Sequence, residues 1–100
     1  MANKAVAFES VTVAGTAIGP TAATLVTTNG KPIVEMLGRL ETGQVRFTLD
    51  GTTPTSSVGT LLEVGDTITV KGGANIAQFK AIRTTGTSGA LKLTYFQLEQ

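Results

Sequence analysis

The chain of 100 residues has no cysteine, no histidine and no tryptophan, and only 15% of its residues are charged. Without cysteine and histidine, it cannot use disulfides, thiol nucleophiles, zinc sites of the usual kind or histidine acid–base catalysis. The net charge is +1 and no charge runs occur, so neither nucleic acid nor a membrane is an expected partner. No apolar run reaches the length of a signal peptide or a membrane span. These absences predict a soluble protein made in a cytoplasm, needing no cofactor and held together by packing alone.

Threonine and glycine dominate what is present, with 18 and 12 residues. Threonine favours pleated strands because its branched Cβ packs well there, and glycine supplies the positive φ angles of tight turns. The length suits one domain. We therefore predict a single all-β domain over residues 1–100 with a thin aliphatic core. Within it, residues 1–20 are rich in small side chains and could form an N-terminal arm that lies on a neighbouring subunit.

Residues 45–70 form the most informative stretch. Val45, Phe47 and Leu49 fall on one face of an alternating segment, with polar residues between them, as a half-buried strand requires. A turn rich in glycine, threonine and proline follows, and then a second alternating strand that contains Ile68 and Val70. This pattern predicts an antiparallel β unit.

Turn signals recur along the whole chain at intervals of about 8 to 12 residues, which is typical of sandwiches and barrels. The predicted strand over residues 60–70 could be broken at Gly65. Six to eight strands of this kind predict an antiparallel β-sandwich, either immunoglobulin-like or jelly-roll-like. The predicted strands are 5–13, 22–27, 32–41, 44–50, 60–70, 76–84 and 90–98.

The segment 32–41 fits two structures. Its apolar residues also suit a helical stripe, and Pro32 could occupy a first helical turn. Gly38 would weaken a helix by about 1 kcal/mol relative to alanine, and the flanking Asn29-Gly30 and Thr42-Gly43 suit hairpins. Strand is favoured, with a bulge at Gly38, and helix stays open. In the last strand, Leu91, Leu93 and Tyr95 share one face, so Phe96 faces a second layer or a neighbour.

Three acidic or glycine-rich features could suggest chemistry. Asp50 could be a fragment of a calcium site, but no second acid follows at i+2 or i+4, and an aspartate before glycine usually bonds its own turn. Glu63 and Asp66 flank a turn but have no neighbour that would tune either pKa. The segment 72–75 lacks the Gly-Lys-Ser/Thr ending of a phosphate loop and is predicted to be a hairpin corner.

Basic and hydroxyl side chains give no stronger signal. Lys80, Arg83 and Lys92 could line up on adjacent strands as a weak basic stripe, although solvated strand faces often carry such charges. No serine has an obvious activating base; these are Ser10, Ser56, Ser57 and Ser88. We assign no catalytic, cofactor-binding or metal-ligating residue and predict that the protein is not an enzyme.

Four motifs within residues 43–96 resemble small β-sandwich structural proteins of tailed bacteriophages, encoded near head and tail components. The motifs are Asp50 to Thr55, Val58 to Leu62, Asn75 to Arg83 and Leu91 to Tyr95. The resemblance implies a non-enzymatic virion protein, most simply a capsid decoration or cement protein that binds the major capsid protein or other copies of itself, with a trimer as one form. Such a protein would assemble in the host cytoplasm and reside in the virion.

Two alternatives stay open. A head–tail connector, a tail protein or a fibre-base component could use the same sandwich. The shorter segment 45–55, VRFTLDGTTPT, resembles immunoglobulin-like modules appended to chitobiases and other secreted glycosidases, which would imply a carbohydrate-binding module.

Overall fold

The computed structural model describes residues 3–21 and 32–98, and the predicted strand 22–27 lies outside these residues. The described chain forms two antiparallel sheets and one short helix. The elements are β1 Asn3–Val13, β2 Glu35–Thr42, β3 Val45–Thr48, β4 Thr60–Leu62, β5 Thr67–Lys71, α1 Gly73–Gln78, β6 Lys80–Arg83 and β7 Gly89–Leu98.

The strand order is β1-β7-β2-β5 in the four-stranded sheet and β4-β3-β6 in the three-stranded sheet. All strand pairs are antiparallel. The buried hydrophobic residues come from both sheets and form one cluster, so the two sheets pack face to face around a common core. This confirms the prediction of an all-β fold consistent with an antiparallel sandwich.

Strand β7 is central, since it pairs with β1 on one side and β2 on the other. Leu91, Leu93 and Tyr95 alternate along it and are fully buried or nearly so. Phe96 points to the opposite face, as predicted. The Tyr95 hydroxyl donates a hydrogen bond to Glu9 Oε1 on β1 at 2.8 Å, so the one polar atom of this ring has a partner.

The N-terminal segment belongs to both sheets. After β1, the amide of Arg83 on β6 donates to the carbonyl of Ala14 at 3.1 Å, and Ile18 and Ala81 exchange two backbone hydrogen bonds. The chain thus leaves the four-stranded sheet at Val13 and adds to the edge of the three-stranded one. Residues 3–18 of the predicted arm are built into their own domain, and a contact with a neighbouring subunit stays a prediction.

Within the predicted segment 32–41, strand β2 begins only at Glu35, and the helical alternative is wrong. Its bulge was also placed wrongly: the register with β7 shifts between Leu40 and Thr42, whereas Gly38 pairs regularly with Ile68 and Leu93. A larger residue at position 38 would crowd the core, because a Cβ there would lie 3.1 Å from Leu93 Cδ2 and 3.2 Å from Ile68 Cγ1, and these side chains would have to shift.

The predicted strand 60–70 is broken at Gly65, which has a φ of 94°. Its halves lie in different sheets: β4 pairs with β3, and β5 pairs with β2. The antiparallel unit predicted for residues 45–70 is therefore correct for β3 and β4 but wrong for Ile68 and Val70, which cross to the other sheet.

Helix α1 corrects two predictions, since residues 72–75 are not a hairpin corner and residues 76–78 are not a strand. The Asn75 side chain donates to the carbonyl of Lys71 at 2.9 Å. Ile76 and Phe79 are buried, and their spacing of three residues is that of one helical turn. The Phe79 ring stacks on Phe47 with centroids 5.5 Å apart, so α1 turns the chain inward before β6.

Leu93→Ala tests the importance of the β7 inner face. Leu93 is 0% exposed, and truncating a buried leucine costs about 2–5 kcal/mol of unfolding free energy. Urea unfolding should show this loss, while Leu61→Ala, at a position 39% exposed, should lose less than about 1 kcal/mol. Equal losses in the two variants would contradict the burial pattern.

The pH dependence of stability should reveal Tyr95, the only tyrosine of the chain. Burial, with the hydrogen bond to Glu9, raises the pKa of Tyr95 above its ordinary value of 10.0. Because the folded-state pKa is the higher one, its stabilising contribution is complete below the unfolded-state pKa and is lost above pH about 10, at about 1.4 kcal/mol per pH unit. Phenolate absorbance should therefore appear only with unfolding, and Tyr95→Phe should lack this loss. A folded chain whose phenolate titrates near pH 10 would contradict the assignment.

Candidate functional site

The candidate site is the outer face of the four-stranded sheet, the face turned away from the core. The register places Phe8, Thr94, Leu37 and Thr69 side by side across all four strands. Directly opposite residues of antiparallel strands share a face, and their inner-face neighbours on β7 are buried. This row therefore crosses the middle of the outer face.

An apolar patch lies at this middle, formed by Ala5, Phe8, Leu37 and Phe96. Phe8 is 62% exposed and Leu37 is 38% exposed. Phe96 pairs with Ala5 on one side and Glu35 on the other, which sets it diagonal to both Phe8 and Leu37, within reach of an aromatic ring. A contiguous exposed apolar patch rimmed by polar residues marks an interaction surface.

Charged residues border the apolar patch along the strand direction. On one side Arg39 and Lys92 are directly opposite each other, and on the other side Glu35 is opposite Lys71. Like charges placed opposite each other destabilise a sheet, and Lys92 Nζ donates to the neutral Ser10 Oγ, at 2.9 Å. The cationic pair is therefore suited to meet an acid or an aromatic ring on another molecule.

The predicted candidates for chemistry have structural roles instead. Asp50 Oδ1 accepts a hydrogen bond from the Thr52 amide at 3.0 Å, which holds the pKa of Asp50 below its usual value. The turn interpretation of Asp50 is thus confirmed. Asp50 also lines an open depression of about 290 Å³, whose other lining residues carry no second acid or base; they are Phe47, Thr48, Leu49, Gly59 and Thr60.

Glu63 and Asp66 stabilise their own turn. The Glu63 amide donates to Asp66 Oδ2 at 2.9 Å, and the Asp66 amide donates to the Glu63 carbonyl at 3.0 Å. The Gln44 side chain donates to Glu63 Oε1. These bonds tie the two acidic residues to the turn around Gly65 and to Gln44.

Lys80, Arg83 and Lys92 do not line up as a basic stripe, so the alternative considered from the sequence is not realised. Lys80 and Arg83 lie on β6 of the three-stranded sheet, whereas Lys92 lies on β7 of the other sheet. Ser10 and Ser88 accept hydrogen bonds from Lys92 and Arg83, while Ser56 and Ser57 lie in the loop before β4. Residues 3–21 and 32–98 contain no group of three potential metal ligands. They also contain no helix long and apolar enough to span a bilayer.

Sequence reasoning missed the apolar patch, although a signal was present. Phe8 shares its strand face with Ser10 and Thr12, and Leu37 shares its face with Glu35 and Arg39. A large apolar residue on an otherwise polar strand face was the sign of an exposed patch. Only the register could show that Phe8, Leu37 and Phe96 meet.

Comparison with known proteins adds no assignment: no family model, no curated protein and no solved structure matches the chain. The resemblance to phage structural proteins therefore stays a prediction.

Phe8→Ser should separate folding from contact. Because Phe8 is 62% exposed, its replacement should change the unfolding free energy of the isolated chain by only about 0.5 kcal/mol. Phe79→Ala, at a buried aromatic, should lose about 3–5 kcal/mol. Chemical denaturation of the two variants measures both. A large loss for Phe8→Ser would mean that Phe8 is part of the core and not of a docking surface.

Proposed function

We propose that the protein is a non-enzymatic structural subunit of a tailed-bacteriophage particle that decorates the capsid by docking its outer face on the major capsid protein. The virion assignment comes from the sequence resemblance. The observation that supports docking is the apolar patch of Ala5, Phe8, Leu37 and Phe96 on a pleated face, in which Phe8 and Leu37 are exposed and Phe96 is half-buried.

The shape and composition of the outer face suit contact between subunits. Threonine and alanine surround the aromatic rings there, and small side chains let a partner approach the sheet closely. Four strands about 4.8 Å apart, with β7 rising about 3.4 Å per residue, offer roughly 500 Å². Burying this area on each partner gives roughly 1,000 Å² in total, the lower bound for a specific interface. Many copies on one particle would add avidity to such a contact.

The polar side chains give catalysis no support. The Asp50 and Asp66 carboxylates accept hydrogen bonds from backbone amides of their own turns, and the Glu63 carboxylate accepts one from the Gln44 side chain. A contact function requires no such group.

Particle composition tests the proposal. Quantitative mass spectrometry of purified particles of the encoding phage should give a copy number of the same order as that of the major capsid protein. A few copies per particle would instead indicate a connector, tail or fibre-base component. Absence from the particle, together with glycan binding by the isolated chain, would contradict a virion role and indicate a carbohydrate-binding module.

Reconstitution tests the docking face. Wild-type protein added to capsids that lack it should bind, and Phe8→Ser should bind at least about tenfold more weakly, since aromatic anchors carry much of an interface's energy. Val58→Ser is a matched control, because Val58 is 47% exposed outside the apolar patch. Equal weakening by both variants would contradict docking through the outer face.

A further inference from the structure

We propose that the outer face also binds a second copy of this chain, in a two-fold arrangement that sets Glu35 of one copy against Arg39 of the other. The inference rests on the proposed docking role of this face and names a second occupant for it, which would compete with the major capsid protein for the same surface.

Two opposite charges flank Leu37 on β2 at equal distances along the strand. Glu35 and Arg39 lie two residues before and after it on the same outer face, about 7 Å away on each side. In the proposed dimer, a two-fold axis lies between the two facing sheets and runs parallel to the row from Phe8 to Leu37. Rotation about this axis reverses the strand direction, so Leu37 meets Leu37 and Glu35 meets Arg39 of the second copy, twice per dimer.

On strand β7, a cation and an aromatic ring flank Thr94 at equal distances. Phe96 and Lys92 lie two residues to either side of it on the outer face. The same rotation brings Lys92 of each copy over Phe96 of the other, which is a cation–π contact. In this arrangement Arg39 faces a carboxylate and Lys92 faces an aromatic ring of the second copy.

The packing agrees with what sheets allow. Stacked sheets keep their strand directions within about 30° and lie about 10 Å apart, and reversal of direction preserves that alignment. A two-fold interface uses the same surface on both copies, so one self-complementary face suffices. With roughly 1,000 Å² buried, the dimer should be weak and depend on protein concentration.

Charge reversal tests the arrangement. Glu35→Arg places two guanidinium groups together twice per dimer, and Arg39→Glu places two acids together twice, so each variant should be monomeric at concentrations where wild type dimerises. An equimolar mixture of the two variants should form a heterodimer, because both contacts between positions 35 and 39 then join opposite charges. Sedimentation equilibrium measures all four samples, and circular dichroism melts establish that each variant folds. Lys80→Glu, on β6 of the other sheet, is the control and should dimerise as wild type does.

Three results would overturn the inference: a wild type that stays monomeric at millimolar concentration, single variants that dimerise as wild type does, or folded variants whose mixture stays monomeric. The result is separable from the proposed function. Loss of capsid binding in Phe8→Ser with a monomeric wild type would leave docking intact and remove the self-association. If the mixture of variants forms a dimer but the protein is absent from phage particles, self-association would stand and the proposed decoration function would be contradicted.

Discussion

The packing of the β7 inner face between the two sheets is the constraint on which the rest of the structure depends. Leu91, Leu93 and Tyr95 are buried there, and β7 pairs with strands on both sides. Since side chains alternate along a strand, burying these residues determines that Lys92, Thr94 and Phe96 face outward. A register slip of one residue would bury Lys92 and expose leucine. The packing of the core thus determines which residues of β7 lie on the outer face.

As a result, the two faces of the four-stranded sheet differ in composition and in role. The inner face stabilises the fold through aliphatic packing, while the outer face carries Phe8 and Leu37, which do little for the core. Two of the acidic side chains that could suggest chemistry, Asp50 and Asp66, accept hydrogen bonds from backbone amides of their own turns. The docking function that we propose uses the outer face and requires no reactive group.

Much of the fold could be predicted from the sequence because alternation and turn residues are local signals. They identified β1, β2, β3 and β7 and the break at Gly65, which takes a positive φ. Helix α1 was missed because Phe79, at its end, packs on Phe47, which is distant in sequence. The pairing of β5 with β2 was missed for a related reason, since a local pattern does not say which sheet a strand joins. The apolar patch required the register of three strands, so local patterns could reveal single residues of it but not their meeting.

Concentration-dependent amide chemical shifts from NMR test the central claim, that the outer face of the four-stranded sheet is the contact surface, most directly. On raising the protein concentration, or on adding the capsid protein, the account predicts that shifts at Phe8, Leu37, Arg39 and Phe96 change first. Residues on the outer face of the three-stranded sheet, such as Arg46 and Ile82, should be unaffected. Changes concentrated on Arg46 and Ile82, with none at Phe8 and Leu37, would contradict the account.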